Sequence, residues 1–320
     1  MPSGSIGKSA LAAALACLLI PSTARAGPLG AAGGYGEFVF GNLTRNNASS
    51  NGAIAAGGSA TINNMSIRGS DAAGLVVGGD LSWHGGSLGS GTAYVGGKAS
   101  TRNVWAPGGV KGDVDVLPVD FTSAQAYLEG FSLAQYGDAN AKASYDGYYW
   151  YSLGATDGKG LQVVDVDASA LRGKGVRVAG QSGSTVIVNV LGDSASFSNM
   201  QVQLAGGITA SNVLWNFVDA TSLKLANVGW AGTILAPHAA VAFDNGQLSG
   251  ALIAAALKGT GTIDIGAGGA SLFAGDARAF APASPTPEPA GIVMLGVAAA
   301  AGLAASVARR RWVRGRRAGR

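Results

Sequence analysis

The chain has 320 residues, in which 52 glycines without a three-residue period exclude collagen and an apolar share of 48% excludes general disorder. Because glycine destabilises a helix interior by roughly 1 kcal/mol per site, this composition favours an all-β chain with many turns. The formal net charge of +4 comes from the two ends, since residues 27–308 contain 13 basic and 18 acidic side chains, which excludes the basic surface typical of nucleic-acid-binding domains.

The first 26 residues have the pattern of a secretory signal peptide. A lysine precedes an apolar run, and the small residues Ala24 and Ala26 predict cleavage before Gly27. The only cysteine, Cys17, lies inside this segment, and the residues before it match a lipidation motif poorly. The exported chain is therefore expected to contain no disulfide and to be stabilised by burial of its core.

Short apolar triplets followed by glycine pairs recur along the central chain. Three of them end at Gly57-Gly58, Gly78-Gly79 and Gly96-Gly97, which are 21 and 18 residues apart, and later triplets after Val213 and Ser222 advance in two interleaved sets by similar steps. Two strand registers with one step predict coils of a parallel β-helix stacked about 4.8 Å apart. Each glycine pair would form a corner where a side chain clashes or φ is positive. A jelly roll or sandwich is the alternative fold.

One segment interrupts this repeat with apolar residues at helical spacing between positions 124 and 134. Thr122 or Ser123 can cap the start of the predicted helix, and Gly137 can end it. We expect a single amphipathic helix that lies along the β-helix and separates the early coils from the later ones.

The connection after this helix contains four consecutive aromatic residues, Tyr148, Tyr149, Trp150 and Tyr151. The simpler interpretation is an exposed loop held by aromatic packing. The functional alternative is a platform for a sugar or a protein partner, because aromatic faces pack well against apolar ligand faces.

The sequence predicts no catalytic residue, no metal site and no cofactor. His84 and His238 are far apart in the chain, and no cysteine remains after export to complete a zinc site. No Gly-x-Ser-x-Gly elbow follows a predicted strand, although a catalytic triad needs only one histidine. Two pairs of aspartates at alternate positions would bind Ca²⁺ only if further oxygens converged, and a solvated polar face is the simpler interpretation. These pairs are Asp113 with Asp115 and Asp165 with Asp167.

The end of the chain has the pattern of a membrane anchor. A proline-rich spacer at 279–289 precedes 19 uncharged residues at 290–308, which as a helix would span about 28 Å of bilayer. An arginine-rich tail at 309–320 follows this predicted transmembrane helix. Its stop-transfer residues place the C-terminus in the cytoplasm by the positive-inside rule. These residues are Arg309, Arg310 and Arg311.

The spacer ends in Pro287-Glu288-Pro289, which a simple anchor does not need. Two prolines keep this segment extended beside the membrane, where a membrane-embedded protease can reach it. The segment resembles the PEP-CTERM sorting signal. That resemblance implies processing by an exosortase-type protease in a Gram-negative, exopolysaccharide-producing bacterium, with delivery to its outer surface or matrix.

The stretch from Ser211 to Leu257 resembles the choice-of-anchor A domain of bacterial surface proteins. Its most specific part runs from VLWNF at 213–217 to GTILAP at 232–237, and the similarity extends over about residues 36–273. The resemblance implies an adhesive β-helix and supplies no catalytic residues. The same segments are more weakly similar to bacterial ice-binding β-helices.

These features predict an all-β parallel β-helix domain at 27–278 with one α-helix alongside, followed by a C-terminal transmembrane helix. The predicted protein is exported, is held in the inner membrane until processing, and then acts as a structural or adhesive protein at the cell surface. Its expected ligands are exopolysaccharide or other surface molecules. One alternative is a carbohydrate-active β-helix enzyme, which needs acidic residues converging with Lys or Arg in one groove. The other is an ice-binding protein with a flat Thr-rich face, for which Thr260-Gly261-Thr262 is the only candidate.

Overall fold

The structure is a computed structural model that describes residues 27–69 and 73–280. The described residues form 24 β-strands, two α-helices and three short 3-10 turns, so the predicted all-β class is confirmed. The predicted signal peptide, the Pro-Glu-Pro motif, the apolar span and the arginine tail lie outside the described residues. Within the described ranges, no helix is long and apolar enough to cross a membrane.

The strands stack as coils of a parallel solenoid, as the repeats predict. The solenoid has three faces, whereas the repeats indicated two strand registers. Face 1 lies beneath the long helix, and all its neighbouring strands pair in parallel. In stack order it contains β13 (Leu161–Asp167), β15 (Thr185–Leu191), β18 (Val213–Asn216), the first parts of β21 (Thr233–Asp244) and β23 (Leu252–Gly259), β1 (Tyr35–Val39), β4 (Ala53–Ala56), β6 (Ala73–Val77), β8 (Thr92–Val95) and β10 (Val110–Lys111).

Face 2 follows face 1 in each coil and is exposed on its outer side. In stack order it contains β16 (Ser194–Ser198), β19 (Ser222–Ala226), the second parts of β21 and β23, β2 (Leu43–Asn46) and the first parts of β5 (Ala60–Ile67), β7 (Leu81–Leu88) and β9 (Ala99–Trp105).

Face 3 completes the triangle. It contains β17 (Val202–Ala205), β20 (Gly229–Ala231), β22 (Gln247–Ser249), β24 (Thr262–Asp264), β3 (Ser49–Ser50) and the last parts of β5, β7 and β9. Beyond β17 it continues in parallel through β14 (Gly175–Ala179) to β12 (Trp150–Gly154), and β11 (Ala143–Tyr145) adds an antiparallel edge.

The coils do not stack in chain order, which the repeats did not reveal. The first coil lies in the middle, where β1 pairs with β4 on one side and with β23 of the last coil on the other. The early and later halves of the domain therefore contact each other directly. The long helix separates them in the sequence but not in space.

That helix, α1 (Phe121–Gln135), lies along face 1 between the chain's departure from β10 and its return through β11 and β12. Its N-cap is Asp120, which accepts a hydrogen bond from the Ser123 N–H, so the predicted cap at Thr122 or Ser123 is wrong by two or three residues. Ala124, Leu128 and Phe131 are buried beneath it. A second helix, α2 (Ala168–Leu171), is a single turn.

Polar contacts also hold α1 on the sheet. Asn216 donates to the Ser132 carbonyl at 2.9 Å and to Asn189 Oδ1 at 2.9 Å. Asn189 in turn donates to the Gln135 carbonyl at 3.1 Å. All these residues are buried, so a substitution that removes one partner leaves an unsatisfied polar group in the core.

The glycine pairs form the corners between faces 1 and 2, as predicted. A Cβ at Gly78 would lie 2.1 Å from the Gly57 carbonyl oxygen, and one at Gly57 would lie 2.3 Å from the Phe40 carbonyl oxygen. Neither glycine has a positive φ. Close approach of stacked backbones therefore explains these glycines, and the alternative of positive φ is wrong for them.

Candidate functional site

A groove of about 840 Å³ runs along face 3 beside its corner with face 2. Its wall contains Tyr149 and Trp150, two of the four residues of the predicted aromatic platform. Its remaining polar side chains are amides and hydroxyls, and none of the described residues that line it is charged. These polar residues are Asn47, Asn199, Asn227, Asn245, Gln201, Gln203, Gln247, Thr260 and Thr262.

Asparagines form one edge of this groove because the corner requires an unusual backbone. Asn199, Asn227 and Asn245 have φ values of 54°, 56° and 48°. Asparagine tolerates this left-handed conformation better than other residues that carry a side chain, apart from aspartate. Asn47 and Asn64 repeat the same corner in neighbouring coils, with φ values of 49° and 48°.

The corner side chains form an amide ladder. Asn245 donates to Asn227 Oδ1 at 2.6 Å, and Asn227 donates to Asn199 Oδ1 at 3.0 Å. The Asn245 N–H donates to the Thr260 hydroxyl at 3.1 Å, which extends the row to the next coil. An amide has two N–H donors and two acceptor positions, so the central amide keeps one of each available for a ligand.

The groove floor follows the strand register of face 3. Gln247 pairs with Gly229 on one side and with Thr262 on the other, and Gly229 forms an isolated bridge with Gln201. Gln201 and Gln247 are exposed, whereas Gly229 between them has no side chain. Along the floor, two long amide side chains therefore flank one position that has no side chain.

The aromatic wall is held rigidly. The Tyr149 and Trp150 rings meet edge to face at 5.2 Å, and the Arg177 guanidinium lies 4.9 Å from the Trp150 ring centroid. A Cβ at Gly175 would lie 2.4 Å from the Tyr149 ring, so the missing side chain makes room for the wall.

One carboxylate shapes the loop that carries these rings. Asp146 accepts hydrogen bonds from the N–H groups of Tyr148, Tyr149 and Trp150 at 2.8, 2.9 and 3.0 Å. These hydrogen bonds hold the pKa of the Asp146 carboxyl below its usual range, and the bond from the Tyr148 N–H has the largest effect. The loop conformation is therefore fixed by backbone contacts and does not depend on ring packing alone.

The structure divides the four predicted aromatic residues. Tyr149 and Trp150 line the groove, whereas Tyr148 projects into solvent with 89% of its surface exposed. Tyr151 pairs with Val176 and packs partly against the core, with its ring stacked on Tyr145 at 6.0 Å. Two of the four residues therefore belong to the candidate site.

The other residues singled out in the sequence do not assemble a site. Asp113 has a φ of 53° in the loop after β10, so its predicted strand position is wrong. Asp165 accepts a hydrogen bond from Asn189 at 2.8 Å, and His238 Nδ1 lies 3.7 Å from Glu129 Oε1. Among the described residues, no three His, Cys, Asp or Glu side chains converge as metal ligands would.

Thr260 and Thr262 do not form a threonine array on one face. Thr260 lies at the corner and Thr262 lies on face 3. Face 2 instead presents a central outward row of small and charged residues. In stack order this row is Ser196, Lys224, Ala242, Lys258, Thr44, Thr61, Ser82 and Ser100.

The sequence contains a weak signal for the amide ladder that the glycine repeats do not show. Asn199, Asn227 and Asn245 recur at steps of 28 and 18 residues, each just before a face 3 strand. Only the second step matches the coil period of the glycine pairs. The coil between Asn199 and Asn227 contains an additional loop with the 3-10 turn Ala210–Asn212, which hides the alignment.

A family model described as "Putative Ice-binding-like adhesive domain" matches residues 28–265. No curated protein matches the chain significantly.

Solved structures that match this chain include an ice-binding protein from the Antarctic ascomycete Antarctomyces psychrotrophicus. It is 15% identical, with 75% of this chain and 98% of that chain covered and a TM-score of 0.44. An ice-binding protein from an Antarctic biological consortium is 15% identical, with 73% and 89% covered and a TM-score of 0.39. The DUF3494 domain of Shewanella frigidimarina ice-binding protein_1 is 14% identical, with 79% and 98% covered and a TM-score of 0.36.

Proposed function

Because the chain belongs to the family of ice-binding-like adhesive domains, we propose that it is an exported adhesive protein that acts at the cell surface or in the extracellular matrix. The observation that carries this proposal is the face 3 groove, which combines partly exposed aromatic rings with uncharged hydrogen-bonding side chains. A lining of this kind binds a ligand without providing groups for catalysis.

The solenoid suits adhesion because its contacts are fixed before binding. Stacked parallel coils around a buried core hold the groove side chains at regular spacing, so little conformational freedom is lost when a ligand binds. A single groove of this type gives modest affinity. Many copies on one surface would give strong attachment through avidity.

An enzyme is the less supported alternative. Glycoside hydrolases use two carboxyl groups about 5–9.5 Å apart. No carboxylate lines the groove among the described residues. The family description likewise names an adhesive domain and no enzyme activity.

We further propose that the chain reaches the surface by a sorting route. The signal peptide would direct export, and the span at 290–308 would hold the chain in the inner membrane with Arg309, Arg310 and Arg311 on the cytoplasmic side. An exosortase-type protease would then cut near Pro287-Glu288-Pro289 and release the choice-of-anchor A-like domain. Mass spectrometry of the exported protein tests this route, since C-terminal arginines that persist in extracellular material would contradict it.

The adhesion proposal is tested with the full-length chain, purified in mild detergent and coupled to beads. We expect these beads to be retained on a layer of exopolysaccharide-producing bacteria more than beads coupled to an unrelated protein. A parallel assay measures reducing ends released from the same polysaccharide. Equal retention of both kinds of beads, or release of reducing ends, would contradict the proposal.

Ice binding is a second candidate, supported by the family description and by the small residues of face 2. Lys224 and Lys258 interrupt the outward row of Ser, Thr and Ala there. The measurement is thermal hysteresis of the purified chain, with Ala242→Tyr as a variant that disrupts the flat face. Hysteresis that is lost in this variant would support ice binding, and no hysteresis would exclude it.

A further inference from the structure

We propose that the face 3 groove binds a strand of neutral polysaccharide, with sugar hydroxyls on the amide edge and a sugar ring against the wall of Tyr149 and Trp150. This inference rests on the proposed adhesive function and names the ligand class of the same site. It follows from four properties of the groove, which are its hydrogen-bonding groups, its lack of charge, its length and its aromatic wall.

The hydrogen-bonding groups match those of a sugar. Each sugar hydroxyl both donates and accepts a hydrogen bond, and neighbouring hydroxyls present such pairs side by side. Asn227 keeps one N–H donor and acceptor capacity after its bonds to Asn199 and Asn245. Gln201 and Gln247 supply further exposed amides from the floor. No purely apolar ligand would satisfy so many polar groups.

The lack of charge favours a neutral strand over an acidic one. No Lys, Arg, Asp or Glu lines the groove among the described residues. An ionised uronic acid or sulfate would lose water on entering without gaining a partner of opposite charge. The Arg177 guanidinium beside the wall is half-buried and already lies against the Trp150 ring.

The length of the groove favours a polymer over a single sugar. The edge residues Asn199, Asn227, Asn245, Thr260 and Asn47 come from five neighbouring coils. At a strand spacing of about 4.8 Å, this row extends for about 19 Å. A chain of several sugar residues would contact the whole row, whereas a monosaccharide would contact a small part of it.

The aromatic wall is prepared for such a ligand. Tyr149 is 38% exposed, and its backbone N–H is held by the Asp146 carboxylate. Trp150 is held on two sides, by the Tyr149 ring and by Arg177. Because these side chains are already ordered, packing a sugar ring against them costs little rotamer entropy.

The test is affinity electrophoresis of the full-length chain in detergent, through gels that contain one soluble polysaccharide each. The neutral probes are dextran, hydroxyethylcellulose and galactomannan, and the acidic probe is alginate. We expect retardation by at least one neutral probe and none by alginate. Retardation by alginate alone, or by no probe, would overturn the inference.

Variants connect any binding to this groove. Trp150→Ala removes the wall and Gln247→Ala removes a floor amide, and we expect each to weaken binding by about tenfold. Tyr148→Ala and Ser66→Ala are matched controls, since both residues are exposed outside the groove and should leave binding unchanged. Circular dichroism confirms the fold of each variant, and Gln247→Ala decides the question if Trp150→Ala fails to fold.

The bead assay distinguishes this inference from the broader proposal. If neutral polysaccharides bind and both groove variants bind as well as the native chain, the groove is not their site and the inference is wrong. If beads adhere to cells while no neutral probe binds, adhesion stands and only this ligand class is wrong. If neither occurs, both proposals fail.

Discussion

Arg45 and Glu37 face each other inside the solenoid, with Arg45 Nε 3.2 Å from Glu37 Oε2 and neither side chain exposed. The Arg45 guanidinium also donates to the Gly259 and Gly261 carbonyls at 3.1 and 2.5 Å. Arg45 belongs to the first coil and the two glycines to the last, so this ion pair lies at the seam between the two halves of the domain.

Loss of Arg45 should strongly destabilise the domain. Arg45→Met leaves Glu37 buried without its partner, and we expect a loss of about 3–5 kcal/mol in the free energy of unfolding. Urea denaturation measures this change. The exposed Arg102→Met is the control and should change stability by less than about 0.5 kcal/mol. The double variant Glu37→Leu/Arg45→Met should recover most of the lost free energy of unfolding, because it removes both charges. If the double variant is as unstable as Arg45→Met, Arg45 acts mainly through its hydrogen bonds to the glycine carbonyls.

The seam should also make stability depend on pH. Burial raises the pKa of Glu37 above its ordinary value of 4.5, and the attraction of Arg45 offsets this only in part. The folded state therefore holds this proton more tightly than the unfolded state. The stabilisation of the folded state by the protonated Glu37 carboxyl is fully present below the ordinary pKa of 4.5. It is lost as the pH rises through the raised pKa of the folded state.

Unfolding free energies of the native chain and of Glu37→Gln, measured across this pH range, test the sign. The native chain should lose stability with rising pH relative to the variant, which has no group to titrate at this position. An opposite slope of the difference would mean that the ion pair dominates over burial.

The corner glycines should not tolerate a methyl group. In Gly78→Ala the new Cβ would meet the Gly57 carbonyl, and we expect a loss of about 1–3 kcal/mol from overpacking. Gly34→Ala is the matched control, because nothing lies within 4 Å of its Cβ and its φ is not positive. Thermal unfolding compares the two variants, and equal midpoints would show that the corner relaxes without cost.

The corner asparagines should be sensitive to backbone conformation. Asn227→Ala places alanine at a φ of 56° and removes two ladder bonds, so we expect a loss of about 1–2 kcal/mol or more. Asn227→Gly removes the same bonds but relieves the backbone, and it should be less destabilised than the alanine variant. Chemical denaturation of the pair separates the two causes. If both variants lose equal stability, the ladder matters more than the backbone.

The sequence predicted those features that depend on one coil and its neighbours in the chain. The triplets and glycine pairs indicate strands and corners because the backbones at Gly57 and Gly78 approach each other within one coil step. The spacing of apolar residues between positions 124 and 134 predicts α1, although the cap is Asp120. The aromatic residues at 148–151 were found, but the sequence could not separate the two that line the groove from the two that do not.

The features that remained hidden depend on which coils are neighbours. The step between repeats says how long a coil is, but not that β1 pairs with β23. The amide edge requires Asn47 to follow Thr260 in space, although these residues are more than 200 positions apart.

The central position of the first coil has a consequence for how the protein is made. In an ordinary solenoid each new coil docks on the one before it, so folding can follow synthesis and unravelling can begin at either end. Here the early coils must wait for the last coil before Arg45 meets Gly259, a contact that closes a loop of 214 residues. Such long-range closure makes folding slow and cooperative. In the proposed export route, the domain would therefore be delivered as an unfinished stack, which would become complete only after its last strands had crossed the membrane.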